Sequence, residues 1–132
     1  MMNIFILSLL FLTCGVSSFA DEPMKRLADG TYVVNTTTLT ADVQGYMGNT
    51  PLEIHIKKEK IVKIVPLKNR ETPNYFKRVK DNLLPKYVGQ SVKQALKTDV
   101  DVVSGATYSS SAVKQNVEAG LKYYQKNKKR VK

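Results

Sequence analysis

Leu52-Glu53-Ile54-His55-Ile56-Lys57-Lys58-Glu59-Lys60-Ile61-Val62-Lys63-Ile64-Val65 carries the clearest folding signal in the chain. Leu52, Ile54 and Ile56 alternate with Glu53, His55 and Lys57, which is the period-two pattern of a half-buried strand. Lys58-Glu59-Lys60 reads as a turn, and Ile61 to Val65 as a second, more continuously apolar strand. Together they predict an antiparallel hairpin. His55 is the one histidine of the chain. It falls on the polar face of the first strand, where a solvent-side role is expected rather than that of a ligand or base.

Working outward from the hairpin, Gly30-Thr31-Tyr32-Val33-Val34-Asn35-Thr36-Thr37 is rich in β-formers and predicts an earlier strand. Gly45-Tyr46-Met47-Gly48-Asn49 reads as a turn. On the other side, Thr72-Pro73 can open a helix, with threonine as cap and proline at the first helical position. Phe76, Val79 and Leu83 give that helix one apolar stripe, and Pro85 stops it. Ser91-Val92-Lys93-Gln94 has capping-box form and predicts a short helix carrying Val92, Ala95 and Leu96. A last helix is expected from about Ser109 to Gln125, with Val113, Val117, Leu121 and Tyr124 on one side. Strands first and helices after predict an α+β fold: a small antiparallel sheet with helices packed on one face.

The chain has 132 residues, 42% apolar and 24% charged, which fits one globular domain. Residues 1–20 carry no charged side chain, contain the apolar run Ile4 to Leu12 and end in Ser18-Phe19-Ala20. That is the pattern of a secretory signal peptide, although a basic n-region is missing. Cys14, the one cysteine, lies inside it, in a stretch that loosely resembles a lipoprotein processing box and would allow lipid anchoring. Cleavage after Ala20 is the preferred reading, and either route leaves the mature domain without a disulfide. The expected organisation is a signal peptide over 1–20, a linker over 21–28, one domain over 29–125 and a basic tail over 126–132. The formal net charge is +10. A basic tail suits an anionic membrane surface, an acidic redox partner or simply a solvated helix end; for an exported protein nucleic acid is disfavoured.

The stretch Asp101-Val102-Val103-Ser104-Gly105-Ala106-Thr107-Tyr108-Ser109-Ser110 places small and hydroxyl residues at the expected start of the last helix. A helix N-terminus offers free N–H groups and a positive dipole end to a phosphate. On the residues alone, a turn with an N-cap is the stronger reading. No lysine follows the glycine as a Walker loop requires. The glycines of a nucleophile elbow are absent, and a metal site has one histidine and no cysteine beyond residue 14 to draw on.

The segment Asp101-x-x-Ser104-Gly105-Ala106-Thr107-x-Ser109-Ser110 resembles the flavinylation motif of the FMN-binding domain family. That domain is shared with the C-type subunit of sodium-pumping quinone reductase and the G-type subunit of the Rnf complex. Asp29-Gly30-Thr31-Tyr32, Gly45-Tyr46, Ile61 to Val65 and Glu71-Thr72-Pro73 resemble further family segments, in the same order. The resemblance spans roughly Asp29 to Tyr124 and is to the small stand-alone members. It implies that a flavin transferase outside the cytoplasm joins FMN, through its phosphate, to Thr107. Gly105 and Ala106 would leave room for the phosphate; Ser104, Ser109 and Ser110 would hydrogen-bond it or cap the helix; Asp101 would be read by the transferase. Glu71 and Thr72 match a segment near the isoalloxazine ring, with helix capping an equal reading for Thr72. Lys68 and Arg70 would then favour an anionic reduced flavin, and Tyr46, Tyr75, Tyr108 and Tyr124 are either ring neighbours or core. The implied function is an exported electron carrier between envelope donors and acceptors. The alternatives are a non-redox basic module for anionic envelope polymers or lipids and, less favoured, a flavoenzyme with its own small substrate.

Overall fold

The computed structural model describes residues 22–43, 48–71, 73–97 and 107–131. Residues 1–20, expected to form a signal peptide, Gly45-Tyr46, Thr72 and the stretch from Asp101 to Ala106 lie outside the described residues. Four strands, β1 (Met24–Arg26), β2 (Tyr32–Asn35), β3 (Leu52–Lys57) and β4 (Lys60–Pro66), form one sheet in sequential order. Each pairs antiparallel with the next. Three helices follow, α1 (Pro73–Asn82), α2 (Val92–Lys97) and α3 (Thr107–Asn127), with a 3-10 turn over Leu84–Lys86. The α+β arrangement expected from the sequence is the one observed.

Alternation decides which face of the sheet is covered. Leu52, Ile54 and Ile56 are wholly buried, together with Val34 and Met24 from the neighbouring strands. Val79 and Leu83 from the α1 stripe and Val113, Val117 and Leu121 from α3 close over them. Burying side chains of this size is worth roughly 1.5–3 kcal/mol each, which makes this one layer the main source of stability. α3 approaches the sheet closely at Gly120: a Cβ there would stand 2.7 Å from Ile54 Cδ1 and 3.0 Å from Thr36 Cγ2. A side chain at this crossing of β3 would force Ile54 and Thr36 to shift.

The β3–β4 hairpin closes through Lys58 and Glu59, both with positive φ, 53° and 66°. Two such residues make the type I′ turn whose twist suits a hairpin, although glycine or asparagine is the usual occupant. A register shift follows: His55 faces Lys63 and Ile56 faces Ile61, so Val62 is the extra residue of a bulge and stands half exposed. That explains why the continuously apolar β4 does not bury every apolar side chain. His55 lies on the uncovered face, its Nε2 2.9 Å from Glu53 Oε1.

Two boundaries differ from the sequence reading. Residues expected to form a linker include β1, whose Met24 is buried and whose register sets Met24 opposite Val34. Three residues are too few to display a period, so only pairing reveals this strand. The return to β2 uses Gly30 at φ +92°, with Asp29 Oδ1 accepting the Thr31 N–H at 3.0 Å. At the other end, the expected basic tail is part of the fold. Lys128 Nζ lies 3.1 Å from both carboxylate oxygens of Glu59, and Arg130 pairs with Glu22 at 3.2 Å. Val131 packs against the core.

Candidate functional site

The motif threonine, Thr107, is the first residue of the 21-residue helix α3. It stands at the positive pole of the longest helix among the described residues, and the first turn contains no acidic residue. Both features favour a phosphate group, and a carboxylate in that turn would oppose one. Ser109 and Ser110 follow within the same turn. Ser110 is completely buried and already engaged within the fold, which suits it to fixing the helix start rather than to meeting a ligand. Asp101, Ser104, Gly105 and Ala106 are outside the described residues, so their expected roles rest on the motif.

Glu71 lies between the end of β4 and the start of α1 and is buried to 6% exposure. Its backbone N–H donates to Asn69 Oδ1 at 3.0 Å, which turns the chain into the helix. Pro73 opens α1 as expected. α1, which begins two residues after Glu71, packs on α3, the helix that begins at Thr107. Lys68 and Arg70 are exposed beside this turn.

The sequence reading missed a buried polar cluster. Asn116, on the inward side of α3, accepts hydrogen bonds from Thr36 Oγ1 and Thr40 Oγ1, both at 2.5 Å. Its Nδ2 donates to the Ala112 carbonyl at 2.9 Å and reaches Thr50 Oγ1 at 3.5 Å. Thr36 Oγ1 also accepts the Leu52 N–H at 2.9 Å. All four side chains are buried. The cluster ties the N-terminal half of α3 to both ends of the segment between β2 and β3, the segment that contains Gly45-Tyr46. The signal was available: Asn116 falls three residues after Val113 and just before Val117, inside the apolar stripe, where a polar side chain needs partners.

Tyr124 is not a neighbour of the motif. It lies 17 positions after Thr107, roughly 25 Å along the helix axis. Its ring meets Tyr32 edge-on at 5.2 Å, and its hydroxyl donates to Glu59 Oε2 at 2.5 Å. Burial, reinforced by the Glu59 carboxylate, pushes the Tyr124 phenol well above its ordinary range. Burial acts to raise the Glu59 pKa, but the Tyr124 hydroxyl and then Lys128 outweigh it and hold the carboxyl below its usual value. This end of α3 is a structural clamp.

A family model described as FMN-binding domain matches residues 45–122, more than half of the chain. No curated protein and no solved structure matches it significantly. The matched span takes in β3, β4, α1, α2 and the first three quarters of α3, and thus every element around Thr107 and Glu71.

Proposed function

The chain belongs to the FMN-binding domain family, and on that premise we propose that it is an exported electron carrier with FMN held covalently on Thr107. The observation that carries this reading is the coincidence of the family-like threonine with the first residue of α3. A helix N-terminus in exposed geometry favours a phosphate by only ~0.3–1 kcal/mol. Such a gain is too small to keep a cofactor outside the cytoplasm, where no flavin pool refills the site. A phosphoester to the Thr107 side-chain oxygen removes dissociation altogether.

In this reading the residues divide the work. Thr107 supplies the attachment oxygen, and the backbone N–H groups that open α3 face the phosphate. Gly105 and Ala106 keep the approach free of side chains, while Ser104 and Ser109 supply hydroxyls and Asp101 is the transferase's recognition residue. Glu71 and Thr72, by their match to the family segment, lie near the isoalloxazine ring. FMN, once attached, supplies reversible one- and two-electron transfer, and the protein contributes position and electrostatics. Residues 1–20 direct export, and the partners are a flavin transferase and envelope electron donors and acceptors.

Intact-mass analysis tests the proposal. The protein is produced in exported form together with a flavin transferase, alongside Thr107→Ala. The expected result is a gain equal to FMN less one water, with yellow colour, in the wild type and none in the variant. An unmodified, colourless wild type under those conditions overturns the carrier reading and leaves the basic binding module in its place.

A further inference from the structure

We propose that the groove between the end of β4 and α1, rimmed by Lys68 and Lys80, is the docking surface for an acidic redox protein that exchanges electrons with this chain. The inference rests on the flavin-carrier reading and goes beyond it by naming the surface and the chemistry of the partner. Between Lys60 and Lys97 there are ten Lys and Arg residues and two acids, Glu71 and Asp81. That leaves +8 of the chain's net +10 on this one stretch. Glu71 is buried, and Asp81 is paired to Lys77 at 2.7 Å, so its charge, which also reaches Lys80, is already shared. Acids of the fold also pair with other cations, as in Lys57–Asp29, Lys122–Glu118, Lys128–Glu59 and Arg130–Glu22.

The groove has the two parts that a transient interface needs. Its floor is apolar, with Ile64, Pro66, Leu67 and Phe76, and its rim carries Lys68 and Lys80, both exposed. An apolar centre with a cationic rim matches an apolar side chain flanked by carboxylates better than it matches a phosphate polymer, which presents charge without an apolar centre. Small, charge-steered contacts of this kind suit partners that must dock, transfer an electron and leave. α1 forms one wall of the groove and packs against α3, the helix that begins at Thr107. In each encounter the partner loses one electron and the flavin gains one, with any proton taken from solvent.

The test uses the flavinylated full chain and a reduced plant-type [2Fe–2S] ferredoxin as the acidic one-electron donor. Stopped-flow rate constants are measured at low and high salt for the wild type, Lys80→Glu and Lys126→Glu. The two variants change the net charge equally, and both lysines are exposed. Charge steering predicts a loss of about tenfold or more at low salt, and a flattened salt dependence, for the groove variant alone. Equal losses in both variants overturn the proposal, because net charge and not the groove would then be responsible. A second arm titrates the unflavinylated chain with the oxidised ferredoxin and follows chemical shifts. Shifts centred on Phe76 and Lys80 that vanish in the groove variant support the site. Absence of binding overturns it, as does groove-dependent binding to anionic vesicles or DNA in place of the ferredoxin. Failure of the flavin reading would show separately, as a missing mass gain with this second arm intact.

Discussion

The two ends of α3 are built on opposite plans. At the C-terminal end, Tyr124, Tyr32, Glu59 and Lys128 use one another's polar groups, and the turn after the helix is bound to the β3–β4 hairpin. At the N-terminal end, the helix opens with Thr107 among hydroxyl residues and has no acid in its first turn. Between them, Asn116 and Gly120 fix the helix to the sheet, one by hydrogen bonds and the other by close approach. The difference separates two jobs in a single element. Rigidity is supplied by the closed end and the middle, while the proposed attachment residue opens the helix at the other end.

The sharpest way to break this comparison is Thr107→Ala. It is expected to remove all flavin from the protein while leaving the melting temperature of the unflavinylated chain within a degree or two of wild type. A large loss of stability would mean that the N-terminal end is structural too. Asn116→Ala is expected to have the next largest effect, about 1–3 kcal/mol in denaturant unfolding, because it leaves the Thr36 hydroxyl buried without its acceptor, while the Thr40 hydroxyl keeps only the Thr36 carbonyl. An effect below about 0.5 kcal/mol would show that the cluster does not hold the helix.

Gly120→Ala sets two effects against each other. The helix gains roughly 1 kcal/mol of propensity, while overpacking against Ile54 and Thr36 costs about 1–3 kcal/mol. A net loss of about 1 kcal/mol is expected in the same assay, and a gain would show that the sheet yields there.

The smallest effect concerns pH at the closed end. Glu59 has a folded pKa below its ordinary value, so its contribution is present above that ordinary value and is lost as pH falls through the folded one. Tyr124 has a raised folded pKa, so its contribution is present below the ordinary tyrosine value and is lost as pH rises beyond it. Absorbance titration near 295 nm should show Tyr124 ionising late, and Glu59→Gln should shorten that delay. Unchanged behaviour in the variant would remove Glu59 from the clamp.

What could be read from sequence follows from the range of the interactions. Leu52, Ile54 and Ile56 declare β3 because burial of one face imposes a period that survives in the residues. Ser91 announces α2 because capping is local: the Gln94 N–H donates to its hydroxyl at 3.1 Å. β1 was hidden because three residues carry no period and depend on Val34 and Val33 across the turn. The partners of Asn116 come from 66 to 80 positions away, beyond any local pattern. The motif around Thr107 was legible only as a resemblance, since its residues by themselves describe an ordinary capping turn. Glu71 was found in the same way, and its burial is a fact of the fold alone.

The Arg130–Glu22 pair brings the last turn of the chain beside the first described residue. Both therefore sit at the pole of α3 opposite Thr107, and the helix between them makes a spacer roughly 30 Å long. Anything fastened to the chain ahead of Glu22 would hold the molecule by its closed end. Thr107 would then stand at the far end of α3 from that point of attachment.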